Sequence, residues 1–108
     1  MQFKNLLYKN ENGIVTVSLN RPKVNALNRD LLMELSDACG RIRADATARV
    51  VILRSELENF CAGADLKERQ GMSNAEVKKF VKHVIGGVIR KIGDIEIPTI
   101  AAVNGSAL

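Results

Sequence analysis

Hydrophobic and polar positions change period several times along this 108-residue chain, and each change marks an element. Residues 3–9 and 14–19 read as two strands, with Asn12-Gly13 between them as a hairpin turn. In the second strand Val15, Val17 and Leu19 alternate with Thr16 and Ser18, so one face is expected to be buried more than the other. Arg21-Pro22 then stops the strand. Asn28 suits a helix N-cap, and Leu31, Leu32, Leu35, Ala38, Cys39 and Ile42 follow at helical spacing to about residue 43. Gly40 weakens that helix by about 1 kcal/mol relative to alanine, so it needs tertiary support. Val50-Val51-Ile52-Leu53 is a continuous apolar run, the pattern of a strand covered on both faces. A short helix is expected over 65–70, ended by Gly71. Ser73 and Glu76 form a capping box that opens a longer helix. Its apolar stripe is Val77, Phe80, Val81, Val84, Ile85, Val88, Ile89 and Ile92. After Pro98 a second apolar strand spans 99–103, and Asn104-Gly105 turns the chain out of it.

The order strand, strand, helix, strand, short helix, long helix, strand makes one α/β unit over residues 1–108, with no linker or low-complexity stretch. Its two apolar strands each call for cover on both sides.

Composition narrows the function classes. Hydrophobic residues at 46% and charged residues at 26% suit a folded globular chain and argue against disorder. No apolar run approaches the roughly 20 residues of a membrane-spanning helix, so no membrane partner is expected. The N-terminal MQFKNLLYKNENG reads as neither a signal nor a transit peptide, and a reducing, cytoplasmic setting is expected. Net charge is +4 and the pI is 9.3, which permits a polyanionic ligand. The charges are scattered, and phosphates of a small ligand would be served as well as a nucleic acid. Cys39 and Cys61 match neither a CxxC motif nor a zinc-site spacing and are expected to be small buried thiols. One histidine and two scattered cysteines leave no metal site to expect.

The segment Asn59-Phe60-Cys61-Ala62-Gly63-Ala64-Asp65-Leu66-Lys67-Glu68 follows an apolar strand and opens a helix. Small residues at 61–64 let a ligand approach the backbone, and Gly63 can take dihedrals denied to other residues. N–H groups at a helix start lack internal partners and carry the positive end of the dipole. Such a place suits an oxygen gaining negative charge. Spacing alone fits equally well a small-residue turn that caps a helix through Asp65.

Phe60-Cys61-Ala62-Gly63-Ala64-Asp65-Leu66-Lys67 resembles the signature loop of the crotonase (enoyl-CoA hydratase/isomerase) family. Asn20-Arg21-Pro22-Lys23-Val24-Asn25-Ala26-Leu27-Asn28 resembles that family's first CoA-contact segment. Residues 97–108, IPTIAAVNGSAL, resemble the strand and turn leading to its glycine-rich second segment. The three motifs stand in family order across nearly the whole chain. The resemblance implies a crotonase-like α/β fold of repeated ββα units in a superhelix, of which this chain would be an incomplete, N-terminal portion. It implies a coenzyme A thioester as substrate, no tightly bound cofactor, and a homo-oligomeric parent, trimer or hexamer. The Ala64 N–H would be one of two oxyanion donors to the thioester carbonyl. Lys67 would lie near the CoA nucleotide. Lys23, Val24, Ala26, Ala62, Ala64, Asp65 and Leu66 would line the acyl-CoA path. Hydration of a 2-enoyl-CoA is the leading expectation, with isomerase, hydrolase or lyase chemistry as the alternatives.

The resemblance also implies what should follow Leu108: a glycine run with the second donor, then two glutamates acting as general base and acid. Glu11, Glu34, Glu56, Glu58, Glu68, Glu76 and Glu96 match neither glutamate position and read as solvated surface carboxylates. The 108-residue polypeptide is therefore expected to lack hydratase turnover. His83 falls off the apolar stripe beside Lys78, Lys79 and Lys82, on what reads as the wet face of its helix. An RNA-binding alternative would use Arg41, Arg43, Arg49 and Arg54. Asp37 and Asp45 interrupt them, and no aromatic residue is interleaved for base stacking, so nucleic acid is not the expected partner.

Overall fold

The computed structural model describes residues 3–108; Met1 and Gln2, where the segment read above for targeting begins, lie outside them. Strands β1 (Leu6–Glu11), β2 (Ile14–Leu19), β3 (Val50–Ser55) and β4 (Thr99–Ala101) form one sheet in the order β1-β2-β3-β4. The first pair is antiparallel and the other two are parallel. Helix α1 (Arg29–Ala44) crosses over between β2 and β3. Helices α2 (Leu66–Gln70), α3 (Asn74–Lys79) and α4 (Gly86–Gly93) lie between β3 and β4, with a π-helical stretch, Phe80–Ile85, joining α3 to α4.

The hairpin shows how local sequence sets register. Asn12 and Gly13 both take positive φ, 54° and 88°, as a two-residue type I′ turn requires. That turn pairs Glu11 with Ile14 directly, so β1 runs to Glu11 rather than stopping at Lys9. Further back, Asn5 leaves the ladder to bond the Glu34 carboxylate through its N–H (2.9 Å) and side-chain amide (2.6 Å).

Helix α1 starts where its cap predicts. The Asn28 side chain accepts the Leu31 N–H at 3.0 Å, satisfying one of the orphan donors of the first turn. All six residues of the predicted stripe, Leu31 to Ile42, are buried. All but Cys39 join one core with Leu6, Val15, Val17, Leu19 and Val51 from the sheet, and with Phe80 and Val88 from the α3–α4 run. Both cysteines are free and buried, as expected.

Two expectations need correction. The stripe of the long helix is only partly buried: Phe80 and Val88 are in the core, whereas Val81 and Ile89 are 44% and 59% exposed. A π-helical closure interrupts the run: the Gly86 N–H reaches back five residues to the Val81 carbonyl, which widens the turn and breaks the constant helical period. The second apolar strand is also not covered on both sides. β4 is shorter than 99–103 and exposed at every residue. Its apolar run records a need for cover, but β4 is an edge strand and is exposed along its length.

Ile100, Val103 and Leu108 are 54%, 56% and 87% exposed. An apolar face beside an open strand edge favours association. The 108-residue polypeptide is accordingly expected to self-associate at micromolar concentration in light scattering; a monodisperse, cooperatively melting monomer would contradict this. Among the described residues no helix is long and apolar enough to cross a membrane.

Candidate active site

The three motif segments meet outside the main sheet. Residues 24–28, 61–65 and 106–108 run side by side, with Leu27 pairing Ala64 and Cys61 pairing Ala107, both in parallel. The Ala62 N–H donates to the Val24 carbonyl (3.0 Å), Leu27 N–H to Gly63 (2.7 Å) and Asp65 N–H to Leu27 (3.1 Å). On the other side the N–H groups of Phe60 and Cys61 share the Ser106 carbonyl, and Leu108 N–H reaches Cys61 at 2.9 Å.

The direction of the Ala64 N–H follows from this pairing. In a trans peptide the C=O and N–H of one unit point opposite ways. The Gly63 carbonyl is turned onto Leu27, so the Ala64 N–H points away from residues 24–28. Gly63 holds φ at +87°, which breaks the strand-like alternation at this place and is cheap only without a Cβ. Among the described residues no acceptor takes the Ala64 N–H. It stands free, half-buried, two residues ahead of α2. A Cβ built on Gly63 would lie 3.6 Å from the Leu108 carbonyl oxygen, so the backbone at Leu108 runs directly past this donor.

Val24, on the neighbouring segment, and Leu66, two residues beyond the donor, are 40% and 69% exposed. Lys23 and Lys67 also lie on the surface, one on each segment. Ala26 and Ala62 are half-buried, and their backbone groups are engaged: the Ala26 carbonyl by the Arg21 guanidinium, the Ala62 N–H by Val24. Asp65 differs from the rest of the expected contact set. Its carboxylate caps α2 through the Lys67 and Glu68 N–H groups and takes the Arg21 guanidinium at 2.8 Å. It is turned inward and fully engaged, so the structure gives it a supporting position, not one facing a ligand. Glu68 likewise points back, accepting the Arg29 N–H with both oxygens at the start of α1.

Sequence reading missed Arg21, Asn25 and Ser55. Asn25 is fully buried at φ +55° and bonds Arg21, Ser55, Asn59 and Phe60. A turn-forming asparagine between valine and alanine gives no local sign of such distant partners. His83 is exposed, on the wet face expected for it. Of the arginines, Arg41 lies over the Tyr8 ring and Arg54 pairs with Glu56 and Ser18. Among the described residues no three His, Cys, Asp or Glu side chains stand together as a metal site.

Residues 9–108 match the family model for enoyl-CoA hydratase/isomerase. The chain belongs to this family. It is 45% identical over 104 residues to the mitochondrial methylglutaconyl-CoA hydratase of Mus musculus, covering 94% of this chain and 33% of that protein. It is 40% identical over 111 aligned positions to the short-chain-enoyl-CoA hydratase of Clostridium acetobutylicum, covering 100% and 42%. The crystal structure of an enoyl-CoA hydratase from Bacillus anthracis superposes with a TM-score of 0.87 at 39% identity, covering 94% of this chain and 40% of the other. The α/β fold is thus the crotonase fold, and the chain spans between a third and somewhat over two fifths of the length of these relatives.

Within this member of the enoyl-CoA hydratase/isomerase family, the Arg21–Asp65 pair ties the first motif to the second. Burial raises the Asp65 pKa, but the Glu68 and Lys67 N–H groups and the Arg21 guanidinium outweigh it and hold the carboxyl below its usual value. A depressed folded-state pKa means the stabilisation is present above the ordinary carboxylate range and is lost as pH falls through the folded value. Acid titration followed by amide NMR is expected to release residues 65–68 only below the ordinary carboxylate range. Asp65→Asn should lower stability at neutral pH and flatten that acid transition; an unchanged titration would show that the pair does not anchor the loop.

Proposed function

We propose that this chain carries the acyl-CoA-binding part of an enoyl-CoA hydratase, with the Ala64 N–H as a donor to the thioester carbonyl oxygen. The observation that carries this reading is the unpartnered Ala64 amide, turned away from residues 24–28 by Gly63 ahead of α2. A backbone donor fixed before the ligand arrives costs no reorganisation when charge develops on the oxygen. Polarising the thioester makes the β-carbon of a 2-enoyl group electrophilic, and addition of water there places negative charge on the same oxygen as an enolate. Val24 and Leu66 offer apolar surface to the acyl and pantetheine chain, while Lys23 and Lys67 offer positive charge to the phosphates. Hydration is favoured over the other chemistries of the family because the relatives named above are hydratases.

The donor has no free carboxylate beside it in its own segment. Asp65 and Glu68, the carboxylates next to Ala64 in sequence, are both engaged as helix caps. Glu34, Glu56 and Glu76 are held by Asn5, Arg54 and Ser73. Isothermal titration of the 108-residue polypeptide should therefore show binding of CoA and of crotonyl-CoA, with the enoyl absorbance of crotonyl-CoA unchanged over hours. Absence of binding to either would overturn the reading, and rapid loss of the absorbance would overturn the division of roles.

A further inference from the structure

We propose that Asn25 is the positioning residue of the Ala64 donor: a buried left-handed hub that sets the direction of the Gly63–Ala64 peptide without touching the ligand. The inference rests on the reading of Ala64 as the oxyanion donor and adds a residue to that site. Asn25 has no exposed surface, and its backbone and side-chain groups are all occupied. Its N–H donates to the Arg21 carbonyl at 2.9 Å, and its Oδ1 accepts the Arg21 N–H at 2.8 Å, closing the turn that precedes it. Its Nδ2 donates to Ser55 Oγ at 2.8 Å, and to the carbonyls of Phe60 and Asn59 at 3.1 and 3.3 Å. Its own carbonyl accepts the Cys61 thiol at 3.3 Å, and the same sulfur accepts the Gly63 N–H at 3.4 Å.

One residue thereby holds the end of β3, the loop that leaves it and, through Cys61, the N–H side of Gly63. The C=O side of Gly63 is held by Leu27. With both flanks fixed, the glycine has one way to lie, and the Ala64 N–H has one direction to point. The left-handed φ of +55° explains why asparagine stands here: it tolerates that region and brings a carboxamide that glycine lacks. Removing the carboxamide leaves the carbonyls of Asn59 and Phe60 without this donor in the interior, so the loop can re-pair only by moving.

The test separates direction of the donor from general binding. Acetoacetyl-CoA ionises to an enolate with its own absorbance band, so it reads the oxyanion donor, whereas CoA reads only the groove. Asn25→Gly keeps the backbone conformation and the carbonyl that meets Cys61, and deletes the carboxamide alone. We expect acetoacetyl-CoA to bind about tenfold more weakly or worse, with its enolate band lost, and CoA affinity to stay within about twofold. Equal losses for both ligands, or no loss for either, overturn the proposal. Should the enolate band of the wild-type chain be insensitive to Ala64→Pro, the reading of Ala64 falls, and Asn25 is then judged on the ligand-free protein. There the Ala64 amide cross-peak should shift in Asn25→Gly while those of the β1–β2 hairpin stay; an unmoved Ala64 peak overturns the hub. If the variant does not fold, the wild-type chain decides: the Asn25 side-chain amide resonances should move on adding acetoacetyl-CoA and not CoA, and a flat response refutes the coupling.

Discussion

Replacing Ala64 with proline is expected to abolish enolate stabilisation while leaving the fold in place. The substitution deletes one N–H that, among the described residues, bonds to nothing, so no internal hydrogen bond is lost with it. Loss of one oxyanion donor costs about 3–4 kcal/mol of transition-state stabilisation, or about 10²–10³ in rate, in hydrolases where it has been removed. In this chain the same loss should be read as a fall of that order in affinity for the enolate of acetoacetyl-CoA, with CoA bound as before. Circular dichroism and the amide spectrum of the α1 core residues report whether the fold survives. A variant that folds and still raises the enolate band to the wild-type level would remove Ala64 from the mechanism. Ala64→Ser, which keeps the N–H, should behave like the parent and serves as the control for crowding.

The second large effect is expected at Gly105, far from Ala64 in sequence but bonded into the same assembly. Gly105 has φ +61°, and a Cβ there would lie 2.3 Å from the Glu58 carbonyl oxygen and 2.7 Å from Asn59 Oδ1. Both neighbours are held. Asn104 Nδ2 donates to the carbonyls of Leu57 and Glu58, and Ser106 N–H donates to Asn59 Oδ1. Gly105→Ala therefore combines left-handed strain of about 1–2 kcal/mol with a backbone collision of about 1–3 kcal/mol. The cheapest escape is for 104–108 to detach, which releases the Ser106 carbonyl from the Phe60 and Cys61 N–H groups and the Leu108 N–H from Cys61. The expected result is a destabilisation on the order of 2–5 kcal/mol in urea unfolding, or a native fold in which the amides of 60, 61 and 108 exchange rapidly. Unchanged stability together with protected amides at those three positions would show that the close approach is easily relieved.

Much of the architecture was legible before any tertiary information. The Asn12-Gly13 turn, the Asn28 cap, the Ser73–Glu76 box and the six-residue stripe of α1 are all present as expected. Each involves residues within a few positions of one another, or a period that any helix must obey. The failures have a physical pattern as well. A constant helical period over 77–92 predicts one buried stripe, but the π-helical closure from Gly86 onto Val81 changes that period midway. Apolarity predicts cover on both faces of 99–103, but cover depends on which elements pack there, and β4 stands at the edge. Composition predicts a solvated Glu68 carboxylate, yet it accepts the Arg29 N–H at the start of another helix.

The candidate site divides in the same way. The elements, the small residues ahead of α2 and the three ordered family motifs follow from local dihedral preferences, periodicity and residue identity. Which backbone N–H stands free, which carboxylates are already engaged, and that Asn25 holds the loop together depend on how the chain packs. They turn on contacts between distant residues: the Asn25–Ser55 bond spans 30 positions and the Arg21–Asp65 bond 44. Whether a donor finds a partner is a property of everything folded around it, and no window of neighbouring residues contains that information.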